Sequence, residues 1–297
     1  MDGLMKKKDI IMEFRNNANQ KINELALLKI DYKEKSRMIN SFIETMRKEK
    51  INYILKKELD SKEQLSSILL IYYCSYVVML ESRNKVWPYE YMAFARRIGE
   101  LWEPFCKLPF MYPTRNDVAI YDPIKFTLFQ QMIRDETQET INSLSIEEEK
   151  KKELIEKYDD VWNLVDSGNI NLSLDLHIKV GNDYYDIDYK SWFSSNEKGN
   201  TNRLLLVGSI YHSIKKNHHA LLFVRQKEEE NNHYLIRLSN SSFWEVYCAD
   251  NAYEKIKELS GFDLKKWIKE NISWENDITF EFKQHLLEND LLRYLSW

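Results

Sequence analysis

A chain of 297 residues with 43% hydrophobic and 13% aromatic side chains is long enough for one large or two modest packed domains. Its net charge of −4 excludes indiscriminate coating of DNA but not a DNA enzyme, because phosphate binding depends on local basic patches. No apolar run reaches transmembrane length, and the start of the chain has neither the apolar stretch nor the cleavage site of a secretion signal.

Taken in chain order, Asp9 to Leu28, Lys33 to Leu59 and Lys62 to Glu81 carry apolar residues at three- and four-residue intervals and predict three helices, the third capped at Asp60-Ser61. The apolar run from Ser67 to Leu80 reads as a core helix rather than a membrane span. These segments define a helical region over residues 1–85, expected to build a dimer or clamp DNA, with basic clusters at Lys6–Lys8 and Lys33–Arg37. A further helix begins near Pro88 and is expected to end near Pro104. Met111 to Asp122, with Pro113, Asn116 and Asp117, reads as a loop, and Pro123 can start a helix through Glu139. Lys150 to Asp166 reads as another helix. Cys74, Cys106 and Cys248 are widely spaced, form no zinc pattern and fit a reducing cytoplasm.

The segment from Leu172 to Trp192 carries the chemistry. Leu172, Leu174, Leu176, Ile178 and Val180 alternate with Ser173, Asp175, His177 and Lys179, the period-two pattern of a strand with one buried face. Gly181-Asn182 is a hairpin turn signal, after which Tyr185, Ile187 and Tyr189 continue the apolar face and Asp186, Asp188 and Lys190 take the other. Counting outward from the turn puts Val180 opposite Asp183, His177 opposite Asp186, Asp175 opposite Asp188 and Ser173 opposite Lys190. Directly opposed carboxylates repel, and a divalent cation is the usual reason to bring them together; Mg2+ needs one or two carboxylates beside phosphate oxygens and water. A zinc site built from His177, Asp175 and Asp188 is disfavoured by Lys190 on the same face, and His212, His218 and His219 lack zinc spacing. His177 reads as a polar neighbour on that face, within reach of a water or a phosphate.

Leu174-Asp175 followed by Asp188-Tyr189-Lys190 on paired strands resembles the PD-(D/E)xK nuclease superfamily, most of all its type II restriction endonucleases. Leu174 stands where the motif names proline, its loosest position. The resemblance covers about residues 150–225 and implies an α+β or α/β fold: a mixed sheet flanked by helices, within a catalytic domain over 86–297 whose core spans about 150–250. Phe193 to Asn202 reads as an exposed loop, Arg203 to Lys216 as a crossover helix and His219 to Arg225 as a buried strand, which is the hairpin, helix, strand order of that core. The strand expected before the hairpin is not evident. Tyr234 to Leu238 and Phe243 to Cys248 read as two more strands, and Leu264 to Asn271 and Phe280 to Tyr294 as helices.

The same resemblance implies hydrolysis of a DNA phosphodiester, with Asp175, Asp188 and the backbone carbonyl of Tyr189 holding Mg2+. Lys190 would orient or deprotonate the attacking water, leaving a 5′-phosphate and a 3′-hydroxyl. It also implies a homodimer matching palindromic DNA. Arg97-Ile-Gly-Glu-Leu-Trp-Glu103 is similar to a run on the first helix of some restriction endonuclease cores, and Glu103 is the candidate to approach the metal, with Glu100 and Glu90 as alternatives. Arg96 or Arg97 could pair with Glu100, and Gly99, which costs roughly 1 kcal/mol in a helix relative to alanine, points to close packing. Lys198, Asn200, Asn202 and Arg203 are candidate DNA contacts. Two other readings share these residues: a repair, recombination or mobile-element nuclease of the same superfamily, and a non-catalytic nucleic-acid-binding protein.

Overall fold

The computed structural model describes residues 6–165, 171–193, 197–214 and 217–297. The predicted loop residues Ser194, Ser195 and Asn196 and the basic pair Lys215–Lys216 lie outside them, as does Asp166, the end of the predicted helix from Lys150.

Three amphipathic segments form the first helices, α1 (Lys7–Ala26), α2 (Tyr32–Leu55) and α3 (Ser61–Val86). Asp31 caps α2 by accepting the Glu34 amide at 2.6 Å, and Asp60 caps α3 by accepting the Lys62 and Glu63 amides at 2.8 and 2.9 Å. Between Leu65 and Ser82, α3 is apolar and buried on nearly every side, whereas its ends are polar and partly exposed. By length and composition it could cross a membrane, yet 83% of its apolar window is buried inside the protein, as expected for a core helix. α4 (Tyr91–Met111) extends past the predicted end at Pro104 and contains both Pro104 and Pro109. Phe105, Cys106, Leu108 and Phe110 are all buried there, so packing holds the helix together despite the missing N–H groups.

The protein is α+β, with a mixed, open sheet of five strands: β1 (Val118–Ile120), β2 (Leu176–Val180), β3 (Asp183–Lys190), β4 (His218–Val224) and β5 (Glu245–Cys248), lying in that order. β1–β2 and β2–β3 pair antiparallel, whereas β3–β4 and β4–β5 pair parallel. The hairpin register is the one counted from the turn, with Val180 opposite Asp183, His177 opposite Asp186 and Leu176 opposite Ile187. Gly181 takes the positive φ, +60°, of the first turn position. Helix α7 (Lys198–Ser213) crosses from β3 to β4.

Further elements differ from expectation. The stretch read as a loop over 111–122 contains β1, the strand that was not evident before the hairpin; three residues are too few to show periodicity. Between β1 and β2 the chain inserts α5 (Phe126–Ser143) and α6 (Glu148–Val165). Tyr234 to Leu238, read as a strand, is helix α8 (His233–Ser239). Asn232 accepts the Tyr234 amide at 3.0 Å, and Leu235 and Leu238, three apart, are buried. The C-terminal part continues as α9 (Asp250–Ser260), α10 (Leu264–Asn271), α11 (Trp274–Asp277) and α12 (Phe280–Glu288). The helix expected to run to Tyr294 stops at Glu288, and Asp290 follows with a positive φ of 54°.

The sheet is covered on both faces. Ile178, Ile187, Tyr189, Leu221 and Phe223 join one apolar core that runs without interruption from α1 to the C-terminal helices. Ala220, Leu222 and Val224 pack on the other side with Phe193, Leu204, Leu238 and Trp244. The face expected to be polar and open therefore lies largely in the interior: His177, Asp186 and Asp188 are all buried.

Candidate active site

The hairpin ladder ends one pair short of the carboxylates. β2 begins at Leu176, and Asp175 sits at a bend immediately before it. Its side chain continues the ladder in place of its backbone, because Asp175 Oδ2 accepts the Tyr189 N–H at 2.8 Å. That contact brings Asp175 next to Asp188, the residue preceding Tyr189.

Asp188 is 1% exposed. Lys190 Nζ makes an ion-pair contact with its Oδ2, and Arg203 Nη2 lies 3.7 Å from its Oδ1. Among the described residues, however, Oδ2 has no aligned hydrogen-bond donor. Burial pushes the Asp188 carboxyl up to about 6; Lys190 pulls the other way, and the negative charge of Asp175 adds to the rise. The folded chain thus holds the Asp188 proton more tightly than an exposed aspartate would. This favours folding at low pH and is lost as pH rises from the ordinary carboxylate range through about 6.

Lys190 opens onto a cavity of about 270 Å³ lined also by Gly99, Glu100, Glu103, Ser191 and Glu197. α4 brings its acidic side chains here because Gly99 allows a close approach: a Cβ at that position would lie 2.4 Å from Ser191 Oγ. Glu103 accepts a salt bridge from Lys107 Nζ at 2.6 Å. Glu100 pairs with Arg96 at 3.1 Å and with Arg97 at 3.2 Å, so both of the pairings read from the sequence form. Glu90 is the exposed residue at the start of α4 and does not line this cavity.

The candidate DNA contacts are not on a loop. Lys198, Asn200, Asn202 and Arg203 occupy the first turns of α7, which starts five residues earlier than the sequence pattern placed it. Lys198 and Asn202 are exposed, Asn200 donates to Glu197 at 3.0 Å, and Arg203 turns inward toward Asp188. Glu197 was missed as a cavity residue because polar loop composition hides a single acidic side chain.

A second buried group lies on the same strand. Asp186, 0% exposed, accepts His177 Nδ1–H at 2.7 Å on Oδ1, meets His218 Nδ1 at 2.9 Å on Oδ2, and accepts the Tyr121 hydroxyl on Oδ1. Burial works to raise this carboxyl, but the three hydrogen bonds outweigh it and hold it below its ordinary value. The His177–Asp186 pairing follows from the hairpin register. His218 and Tyr121 reach Asp186 from β4 and from the residue after β1, and no local pattern announces them. His177 is consequently a buried, fully engaged side chain rather than one facing a water or phosphate. Neither of its nitrogens is left for a zinc site with Asp175 and Asp188.

Among the described residues, no cluster of three or more histidine, cysteine or acidic side chains stands ready to hold a metal ion. Two carboxylates suffice for Mg2+, which keeps several waters and takes further oxygens from its substrate. Asp188 Oδ2 is already in contact with the Lys190 ammonium, so an ion held there would share that oxygen with Lys190 or displace it. The chain matches no protein-family model, no curated protein and no solved structure.

Proposed function

We propose that the chain is a Mg2+-dependent endonuclease that hydrolyses phosphodiester bonds in double-stranded DNA, a type II restriction endonuclease with a PD-(D/E)xK core. The observation that carries this reading is the pairing of Asp188 and Lys190, two residues apart on one strand end, with Asp175 hooked to the intervening Tyr189 amide. The order hairpin, crossover helix, parallel strand supports it, as does the cavity that Lys190 shares with Glu103.

Asp175, Asp188 and the Tyr189 carbonyl would hold the ion. The chemistry supplied by an ion held by these groups would be polarisation of the scissile phosphate and a lowered pKa for an attacking water. The chain's own groups do the rest. Lys190 Nζ lies beside Asp188 and also donates to the Tyr189 carbonyl at 3.3 Å, so its charge is fixed at the strand end, where it can orient a nucleophile and offset developing negative charge. Arg203, half-exposed at the start of α7, is placed to contact a phosphate, and Lys198 and Asn202 face outward along the same turns. A twofold homodimer would present two such sites to a palindromic duplex.

The test is incubation of plasmid DNA with the purified chain in Mg2+ and in EDTA. The reading expects Mg2+-dependent cuts whose ends carry ligatable 5′-phosphates; intact plasmid under both conditions speaks for a non-catalytic DNA-binding protein.

Because Mg2+ competes with the proton on Asp188, metal affinity should rise with pH through about 6 and level off above it. Calorimetric Mg2+ titrations on both sides of that value check this, and a flat profile would contradict it. Gly99→Ala should press α4 away from Ser191, whose Oγ is also held by Arg225 at 3.1 Å. A displacement of about 1 Å at the cavity wall is expected to lower cleavage roughly 10²-fold, beyond a stability cost of about 1–3 kcal/mol. Rates measured well below the variant's unfolding temperature separate the two effects.

A further inference from the structure

The buried group around Asp186 has no part in the chemistry proposed above, yet it ends next to Asp175. A neutral imidazole has one donor and one acceptor nitrogen. His177 Nε2 accepts the backbone N–H of Leu174 at 3.0 Å, so its proton sits on Nδ1 and is donated to Asp186. Asp186 is in turn fixed by His218 and Tyr121, and the ring is left with one tautomer and one orientation.

The Leu174 amide matters because of where the ladder stops. Pairing of β2 with β3 begins at Leu176 and Ile187, so the backbone before it has no cross-strand partner. A half-buried N–H there needs an acceptor. His177 supplies it, and the very next residue, Asp175, sends its carboxylate to the Tyr189 amide at 2.8 Å. We propose that Asp186 and His177 are positioning residues that set the Asp175 carboxylate through the Leu174 peptide. The inference rests on the nuclease reading for its purpose, but the link itself is a matter of hydrogen bonds. Without the imidazole, the Leu174 N–H loses the acceptor that holds it, and the bend that aims the Asp175 carboxylate is free to drift.

The test uses the full chain with His177→Ala, and with His177→Phe, which keeps the ring's volume in case the alanine variant does not fold. Amide hydrogen exchange is followed at Leu174, Tyr189 and Ile187, and Mn2+ affinity is followed by the EPR signal of the free ion. Loss of a residue that orients a metal site costs about 10- to 100-fold in metal affinity. The expected result is faster exchange at Leu174 and Tyr189, unchanged exchange at Ile187, and Mn2+ affinity about tenfold weaker. Unchanged exchange at Tyr189, or an equal rise at all three amides, overturns the positioning role. A wild-type chain that neither binds Mn2+ nor cuts DNA overturns the nuclease reading instead, and the exchange comparison still decides the link between His177 and Asp175.

Discussion

Lys190→Ala and Asp188→Asn are each expected to lower Mg2+-dependent DNA cleavage by about 10³-fold or more while leaving the fold in place. The two losses should differ in kind. Lys190 is the cation fixed at the end of β3, in contact with Asp188 and opening onto the cavity beside Glu103. Its removal takes away charge stabilisation and the pull that lowers the Asp188 carboxyl, but leaves both carboxylates, so metal binding should persist once the pH is high enough to ionise Asp188. Asp188→Asn keeps the side chain's shape in a site that is 1% exposed, yet removes the buried negative charge, so metal binding and cleavage should fall together. Single-turnover cleavage and Mn2+ binding, measured on the same preparations, give the comparison. Near-normal cleavage by either folded variant removes the assignment.

The largest effect on stability is expected far from this site, at Glu81. Its carboxylate is 3% exposed and receives a forked pair of bonds from Arg15 on α1, at 2.8 and 2.6 Å, and the Thr279 amide at 2.7 Å. Arg15 also donates to the Asp277 carbonyl, and the Asp277 carboxylate takes Lys7 at 2.8 Å and the Tyr73 hydroxyl at 2.7 Å. One buried anion thus ties α1 and α3 to the segment between α11 and α12. Glu81→Ala would leave a partly buried guanidinium and a backbone amide without their acceptor, at a cost of about 3–5 kcal/mol. Equilibrium denaturation measures it. A loss below about 1 kcal/mol, the range of an exposed ion pair, would show that the network is not holding these elements together.

What the sequence makes legible is what repeats. Alternation from Leu172 to Val180, with Gly181 at the turn, is enough to set the hairpin register residue by residue. The three N-terminal helices follow from apolar spacing and from Asp60 as a cap. The rest depends on packing that no local pattern carries. Tyr234 to Leu238 is a short apolar run of the kind that periodicity cannot assign, and burial of Leu235 and Leu238 on one side makes it a helix. Pro104 looks like an end and is not, because its neighbours are enclosed. The site divides in the same way. The counted pairs Asp175–Asp188 and Ser173–Lys190 do not form, because the ladder stops at Leu176 and Ile187; Asp175 reaches the neighbourhood of Asp188 through the Tyr189 amide instead, and Lys190 contacts Asp188 along its own strand. The burial of Asp188, the inward turn of Arg203 and the arrival of His218 at Asp186 depend on parallel pairing across a crossover helix, which counting from a turn does not reach.

The most direct test of the central claim is the anomalous scattering of Mn2+ in a crystal of the wild-type chain. A peak shared by the carboxylates of Asp175 and Asp188, lost in Asp188→Asn, is the predicted result. No peak at that strand end, or a peak at Asp186 and His218 instead, would contradict it.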